Sequence, residues 1–250
     1  MYHRAMRMAF IADIHGNLDA LEAVLVDIAR RDVETIVNLG DVVSGPLRAY
    51  ETAERLIPMD LPTISGNHER QLLTLSIGAM GESDRIAARR LSDHHRAWLG
   101  TFPAMRSIGE DVVLCHGTLE NDVDYLLETL DENGCRAASV EEVEQRTKGC
   151  RARLIACAHS HRPREVHLRD GRLAINPGSV GLQAYPAKWP HTHIIENGTP
   201  HARYAIATRE GSDWSVEFIA VEYDWDTAAA VAESNRRADW ALALRTGRVL

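Results

Sequence analysis

Five short apolar runs in this chain each end in a small polar cluster, and that punctuation constrains the fold more than any other feature. Met8-Ala9-Phe10-Ile11-Ala12 runs into Asp13-Ile14-His15-Gly16-Asn17. Thr35-Ile36-Val37-Asn38-Leu39 runs into Gly40-Asp41-Val42-Val43, and Leu61-Pro62-Thr63-Ile64-Ser65 into Gly66-Asn67-His68-Glu69. Asp111-Val112-Val113-Leu114-Cys115 ends at His116-Gly117, and Arg153-Leu154-Ile155-Ala156-Cys157-Ala158 at His159-Ser160-His161. Short apolar runs bounded by turn residues read as buried strands. The intervening segments have helical character: behind an Asn17 cap, Leu18, Leu21, Leu25 and Ile28 share one face. Strand and helix in alternation indicate an α/β sheet, where ligands bind beyond the carboxyl ends of the strands. Five polar ends can therefore converge on one place.

The rest of the chain supports one domain over residues 1–250 with a helical tail from about 226. Residues 84–99 read as one amphipathic helix anchored by Ile86, Leu91 and Trp98, with His94 and His95 exposed on it. The stretch from Glu120 to Gly149 is polar, and Ser139 with Glu142 predicts a capped short helix inside it. Further strands are expected at 165–168, 172–175, 202–207 and 215–221. In the tail, Glu233, Arg236 and Arg237 are read on an exposed face near Trp240, Leu242 and Leu244. Packing of that tail on the chain's own sheet is the favoured expectation, and a homo-oligomer contact the alternative.

Composition removes several classes. With 45% hydrophobic and 26% charged residues the chain is ordinary for a globular protein. A net charge of −8 argues against a general nucleic-acid surface. It does not exclude a small phosphorylated substrate, because bound metals can reverse the sign of a pocket. Cys115, Cys135, Cys150 and Cys157 form no CxxC pair, and Cys115 and Cys157 fall in apolar runs as reduced core residues. No apolar run reaches membrane-spanning length, and the first residues lack an apolar signal core, so the expected location is cytoplasmic. Strand-like sequence begins only near Met6 and Met8, either of which is a candidate translation start.

The clusters hold the residue types of a metal site. Asp13 and His15 are two apart, so in extended chain both point the same way. Asp41 can bridge two ions, Asn67 offers an amide oxygen, and His116, His159 and His161 each offer a ring nitrogen. Mixed nitrogen and oxygen donors suit Mn, Fe, Zn, Co or Ni better than Ca or Mg. Two ions about 3.5–4 Å apart polarise a phosphate and activate water for in-line attack. His68, beside Asn67, is free to give a proton to the leaving oxygen or to stabilise charge there. Taken singly, each cluster has a plainer explanation as a helix cap, a turn or a solvated loop. Independent loops have no reason to collect these residues in this order. His191-Thr192-His193 mimics a metal pair but lacks a strand before it, and Asn17, Asn38 and Ser179 are candidate substrate contacts.

At these residues the chain resembles the calcineurin-like metallophosphoesterase superfamily, whose motifs are DxH, GD, GNH(D/E), H and GHxH. The resemblance runs from Met8 to Gly181, with Ala158 where the last motif has glycine. It implies a sandwich of two mixed sheets flanked by helices on both sides, in four α/β/β/α layers. It also implies two divalent transition-metal ions, manganese foremost, with Asp13, His15, Asp41 and His161 at one and Asp41, Asn67, His116 and His159 at the other. His68 would be catalytic. Asp13–Leu21, Gly45-Pro46 and Asn176–Gly181 are similar to the small bacterial and archaeal phosphodiesterases of the superfamily, some of which cleave dinucleoside polyphosphates. Protein serine/threonine phosphatases instead carry GDxVDRG. Here Ser44 stands for the aspartate that orients the histidine, and Gly45 for the arginine that clamps phosphate. The expected activity is hydrolysis of a phosphodiester or pyrophosphate bond in a small nucleotide-like substrate. A phosphomonoesterase or protein phosphatase is the alternative, and a non-catalytic metal-binding scaffold the remaining one.

Overall fold

The computed structural model describes residues 6–188 and 190–250. In chain order its elements are β1 (Met6–Ile11), α1 (Leu18–Ile28), β2 (Thr35–Asn38), α2 (Ala49–Leu56), α3 (Asn67–Thr74), α4 (Glu82–Ala88) and α5 (Asp93–Leu99). β3 (Met105–Ile108), β4 (Val112–Cys115), β5 (Glu128–Asp131), β6 (Gly134–Ala137), α6 (Val140–Arg146), β7 (Leu154–Ala156), β8 (Arg164–His167) and β9 (Leu173–Asn176) follow. The chain continues through β10 (Ala184–Ala187), β11 (His193–Glu196), β12 (Ala202–Glu210), β13 (Asp213–Val221), α7 (Trp225–Ser234) and α8 (Ala238–Thr246).

Two mixed sheets face each other. One has the order β13-β12-β1-β2, with β1 and β2 parallel; the other has the order β3-β4-β7-β9-β8, with β4, β7 and β9 parallel. Alternation along the strands sorts the side chains. Met8, Phe10, Val37 and Leu39 point inward to meet Leu114, Leu154, Ala156 and Ile175 of the second sheet. Ala9 and Ile11 point outward onto Leu21, Val24 and Leu25 of α1. On the far side, Ile155, Cys157 and Ala174 pack on Val143 of α6 and on Leu126 and Leu127. The expected α/β/β/α layering holds, with α6 and the β5–β6 hairpin as the thinner outer layer.

Several local expectations change. Leu61–Ser65 is not a strand but one parallel bridge, Asn38 with Thr63. Pro62 has no N–H to give, and Ser65 N–H turns away to Pro103 O. The helix expected over 84–99 is two helices, because Ser92 caps α5 and restarts it, its Oγ accepting from His95 N. That cap buries His95, whose Nε2 lies 2.7 Å from Glu54 Oε1, so His95 is not exposed. The hairpins β5–β6 and β10–β11 were not foreseen. The tail breaks at Arg236, which has φ 61°, and both helices fold back on the chain itself. The small alanines 228, 229, 232, 241 and 243 let α7 and α8 close on Leu47, Leu182 and Ala184. No described helix is long and apolar enough to cross a membrane.

Candidate metal centre

The strand ends converge because their loops are stitched together by backbone hydrogen bonds. Asp13, His15 and Gly16 donate to the carbonyls of Gly40, Asp41 and Val42, and Ala158 N–H donates to His116 O. Val180 and Gly181 N–H donate to Ala12 and Asp13 O, which ties in the Asn176–Gly181 segment. Within this frame Asp13, His15, Asp41, His159 and His161 all have left-handed backbone, with φ between 52° and 67°. Aspartate and histidine tolerate that region better than most residues, but it still carries strain that clusters at functional sites. Asp13 and His15 therefore do not share a direction through extended chain, as the sequence suggested. Tight left-handed turns aim them. Ala158 has ordinary negative φ, so the loss of glycine there is tolerated.

Two groups of donor atoms result. Asp13, His15 and His161 form one; Asp41, His116 and His159 form the other. Each histidine is oriented by giving one N–H to a backbone carbonyl. His15 Nδ1 faces Ser44 O at 2.9 Å, His116 Nδ1 faces Leu39 O at 2.7 Å, and His161 Nδ1 faces Leu182 O at 2.7 Å. His159 uses the opposite nitrogen, with Nε2 3.0 Å from Val123 O. Such outer contacts set the tautomer and turn the other nitrogen's lone pair toward a metal. Gly66 is needed for clearance: a Cβ there would lie 2.3 Å from Asp41 Oδ1.

These groups fit divalent cations. Both Asp13 carboxylate oxygens, Asn67 Oδ1 and His116 Nε2 are buried without a hydrogen-bond partner. His15 Nε2 and His161 Nε2 lie 3.2 Å apart, and with both Nδ1 protons on carbonyls, two lone pairs face each other. Burial pushes the His15 imidazole down to about 4 and His161 well below its usual range, so both are neutral ligands at pH 7. Burial pushes the Asp13 carboxyl well up. His116 goes the other way, to about 10: burial opposes its charge, but Asp41, 3.1 Å away, and Asp13 outweigh it. A bound cation would reverse these balances by favouring carboxylate and neutral imidazole.

His68 sits beside the groups, its ring 5.4 Å from that of His15. Its Nδ1 is 2.7 Å from Asp84 Oδ1 and 3.1 Å from Ser44 Oγ, and Ser44 Oγ donates to the same Asp84 oxygen at 2.6 Å. Burial lowers the His68 pKa, but Asp41 and Asp84 outweigh it and hold it up at about 9. Asp84 is the residue that sequence reasoning missed. It comes from α4, and no local spacing links it to His68. Ser44, read as the lost orienting aspartate, survives as the bridge between them. Glu69 was also unassigned; its buried carboxylate accepts N–H from Asp41, Val42 and Gly66 and locks the two loops together.

The cleft over the groups has a volume of about 270 Å³. Asp41, His15, His68, His159 and His161 reach it from the strand ends; Arg237, Asp239, Trp240 and Ala243 come from the tail. A larger cavity of about 460 Å³ lies elsewhere, beside Tyr125, Glu128 and Arg146, and holds none of these donors. Gly45, at φ 151°, explains the missing arginine: Trp240 Cη2 lies 3.0 Å from where a Cβ would stand. Asn17 is engaged in the scaffold and does not line the cleft, its amide bonding to Ala20 N, Gly181 O and Tyr223 OH. Asn38 and Ser179 likewise hold the backbone at Gly40, and at Asp13 and Leu182. His193 is buried, and its Nε2 lies 2.9 Å from Tyr125 OH. Tyr125 meets Tyr185 OH, which donates to His159 O.

Comparison with known proteins agrees with this fold. The sequence model of the calcineurin-like phosphoesterase superfamily domain matches residues 6–196. An uncharacterized protein of Methanocaldococcus jannaschii is 26% identical over 246 residues, covering 93% of this chain and 94% of that one. A solved metallophosphoesterase of Sphaerobacter thermophilus superposes with TM-score 0.71 at 23% identity, over 96% of this chain and 99% of its own. A candidate diadenosine tetraphosphatase superposes with TM-score 0.55 at 16% identity, over 87% and 94%.

Proposed function

The chain belongs to the calcineurin-like phosphoesterase superfamily, and from that premise we propose a phosphodiesterase or pyrophosphohydrolase using two divalent cations on a small nucleotide-like substrate. Asp13, His15, Asp41 and His161 would hold one cation, and Asp41, Asn67, His116 and His159 the other. Bound there, they would supply Lewis-acid polarisation of the phosphoryl group and a nucleophile at neutral pH. Mixed nitrogen and oxygen donors suit Mn, Fe, Zn, Ni or Co better than Ca or Mg, and manganese, favoured by the family resemblance, is the first to test.

The chain's own residues do the rest. Four imidazoles, each anchored to a carbonyl, keep their free nitrogens and two carboxylates in fixed positions, so little reorganisation accompanies substrate binding. His68, held by Asp84 and Ser44, presents its other nitrogen to the cleft. There it donates a proton to the leaving oxygen or, as a cation, stabilises its developing charge. Leu182, Ala184 and Trp240 offer an apolar wall for the ester group that distinguishes a diester from a monoester.

The observation that carries this reading is the set of anchored imidazoles turned toward orphaned carboxylate and amide oxygens. Purified protein stripped with a chelator and reloaded with Mn²⁺ should hydrolyse bis(p-nitrophenyl) phosphate faster than p-nitrophenyl phosphate. The reading fails if no divalent metal restores turnover of a diester, a monoester or a dinucleoside polyphosphate.

A further inference from the structure

The cleft's tail side carries a cationic group that the metal-centred reading does not use. Among the described residues lining the cleft, Arg237 is the sole arginine or lysine. Its guanidinium lies 5.6 Å from the centroid of the Trp240 ring, which meets the His15 ring edge-on at 5.9 Å. Nε and Nη2 donate to the two oxygens of Asp239 at 2.8 and 2.7 Å, and Nη1 donates to Ser83 Oγ at 2.9 Å. Ser83 immediately precedes Asp84, which holds His68. Arg237 is therefore tied to the His68 edge of the cleft, where the leaving group departs on the proposed mechanism.

We infer that Arg237 recognises a second phosphate joined to the scissile one, so that the substrate is a polyphosphate-bridged molecule cleaved at a pyrophosphate link. This rests on the phosphoesterase reading above and narrows its substrate class. The fork that now grips Asp239 has the geometry to grip a phosphate in the same bidentate manner. A polyphosphate bridge carries one negative charge on each of its phosphates, so the whole bridge outweighs the single carboxylate of Asp239 and can displace it from the fork. Asp239 is the placeholder that keeps Arg237 aligned between turnovers. Trp240 fills the space beside Gly45, where a phosphate-clamping arginine would otherwise emerge, and supports the guanidinium from its own helix. The phosphate clamp has thus moved from the loop after Asp41 to the C-terminal tail. A simple diester with an alkyl or aryl leaving group has nothing to offer Arg237.

The test compares diadenosine tetraphosphate with bis(p-nitrophenyl) phosphate on Mn²⁺-loaded full-length protein. Arg237→Met should lower the ratio of kcat/KM for the tetraphosphate to that for the diester by about 10- to 100-fold, mostly through KM. Inorganic pyrophosphate should inhibit that variant more weakly by a similar factor. Asp239→Asn frees the fork and should move the tetraphosphate KM the opposite way, down by about two- to tenfold. An ion pair that only braces the tail predicts equal losses on both substrates and the same sign for both variants, and that result overturns the inference. So does a wild-type protein that cleaves the diester but neither cleaves the tetraphosphate nor is inhibited by pyrophosphate, although the phosphodiesterase reading would then stand. If neither substrate turns over with any metal, the underlying reading falls and takes this one with it.

Discussion

The floor of the cleft comes from clusters spread between Asp13 and His161, whereas its tail-side wall comes from one short stretch, Arg237 and α8, with α7 packed behind it. The floor is stitched by backbone hydrogen bonds between loops and stores left-handed strain at five of its donor residues. The wall is held instead by alanine-lined helix packing, by Trp240 in the gap at Gly45 and by side-chain hydrogen bonds such as Asn235 Nδ2 to Pro46 O and Arg237 Nη1 to Ser83 Oγ. Rigid donors suit chemistry that requires fixed positions. A packed helical pair can change its side chains without disturbing those donors. On the function proposed above, the difference assigns reaction class to the floor and substrate choice to the wall.

The largest expected effect probes the floor. Asp13→Asn keeps the shape but removes the charge that two buried, unpartnered oxygens offer to a cation. Metal catalysis supplies several kcal/mol, so turnover should fall roughly 10³-fold or more. The metal-to-protein ratio, read by elemental analysis, should fall with it. Full metal content in this variant would separate Asp13 from the centre.

Next comes the edge between floor and wall. His68→Ala should lose about 10²- to 10⁴-fold in kcat while keeping its metal. Asp84→Asn should lose less, because a charge-assisted hydrogen bond is worth about 1.5–3 kcal/mol, roughly 10- to 100-fold. If His68 acts on the leaving oxygen, both losses should grow as p-nitrophenol is replaced by a poorer leaving group. A loss independent of leaving group would leave Asp84 as a purely structural partner.

The smallest effect on the chemistry is expected in the wall. Trp240→Ala removes a buried ring and should destabilise the fold by about 3–5 kcal/mol, visible as a drop of several degrees in a thermal melt. Metal content should stay at the wild-type ratio. Coupled loss of metal would show that the wall supports His15 as well as selecting substrate, and the separation drawn above would break.

The two regions also differ in how well they could be read. Each floor motif is local, a short apolar run followed closely by its candidate donor, so the order of Asp13, His15, Asp41, Asn67, His68, His116, His159 and His161 was legible along the chain. Periodicity exposed strands alternating with helices but over-extended some of them, and the two-sheet sandwich came from the resemblance. Leu61–Ser65 looked like a strand until Pro62 and the turn toward Pro103 limited it to one bridge, and residues 84–99 looked like one helix until Ser92 capped a second. Asp84 was missed because a contact 16 residues away through a helix start leaves no spacing signal. Arg237 was read on an exposed face of the tail and Trp240 as an apolar residue near it, with packing on the chain's own sheet favoured, since nothing in an alanine-rich helix says which side will meet His15.

By itself the sequence named the candidate donors, because metal coordination demands particular atoms and only a few side chains own them. It determined that strands and helices alternate around a sheet, since short apolar runs must be buried, while the layer order followed only from the family resemblance. The tertiary structure alone decided which carboxylate orients His68, what fills the space at Gly45 and which arginine faces the cleft. Those depend on how elements far apart in the chain come to touch, and such contacts are set by packing volume and competing hydrogen bonds rather than by neighbouring residues.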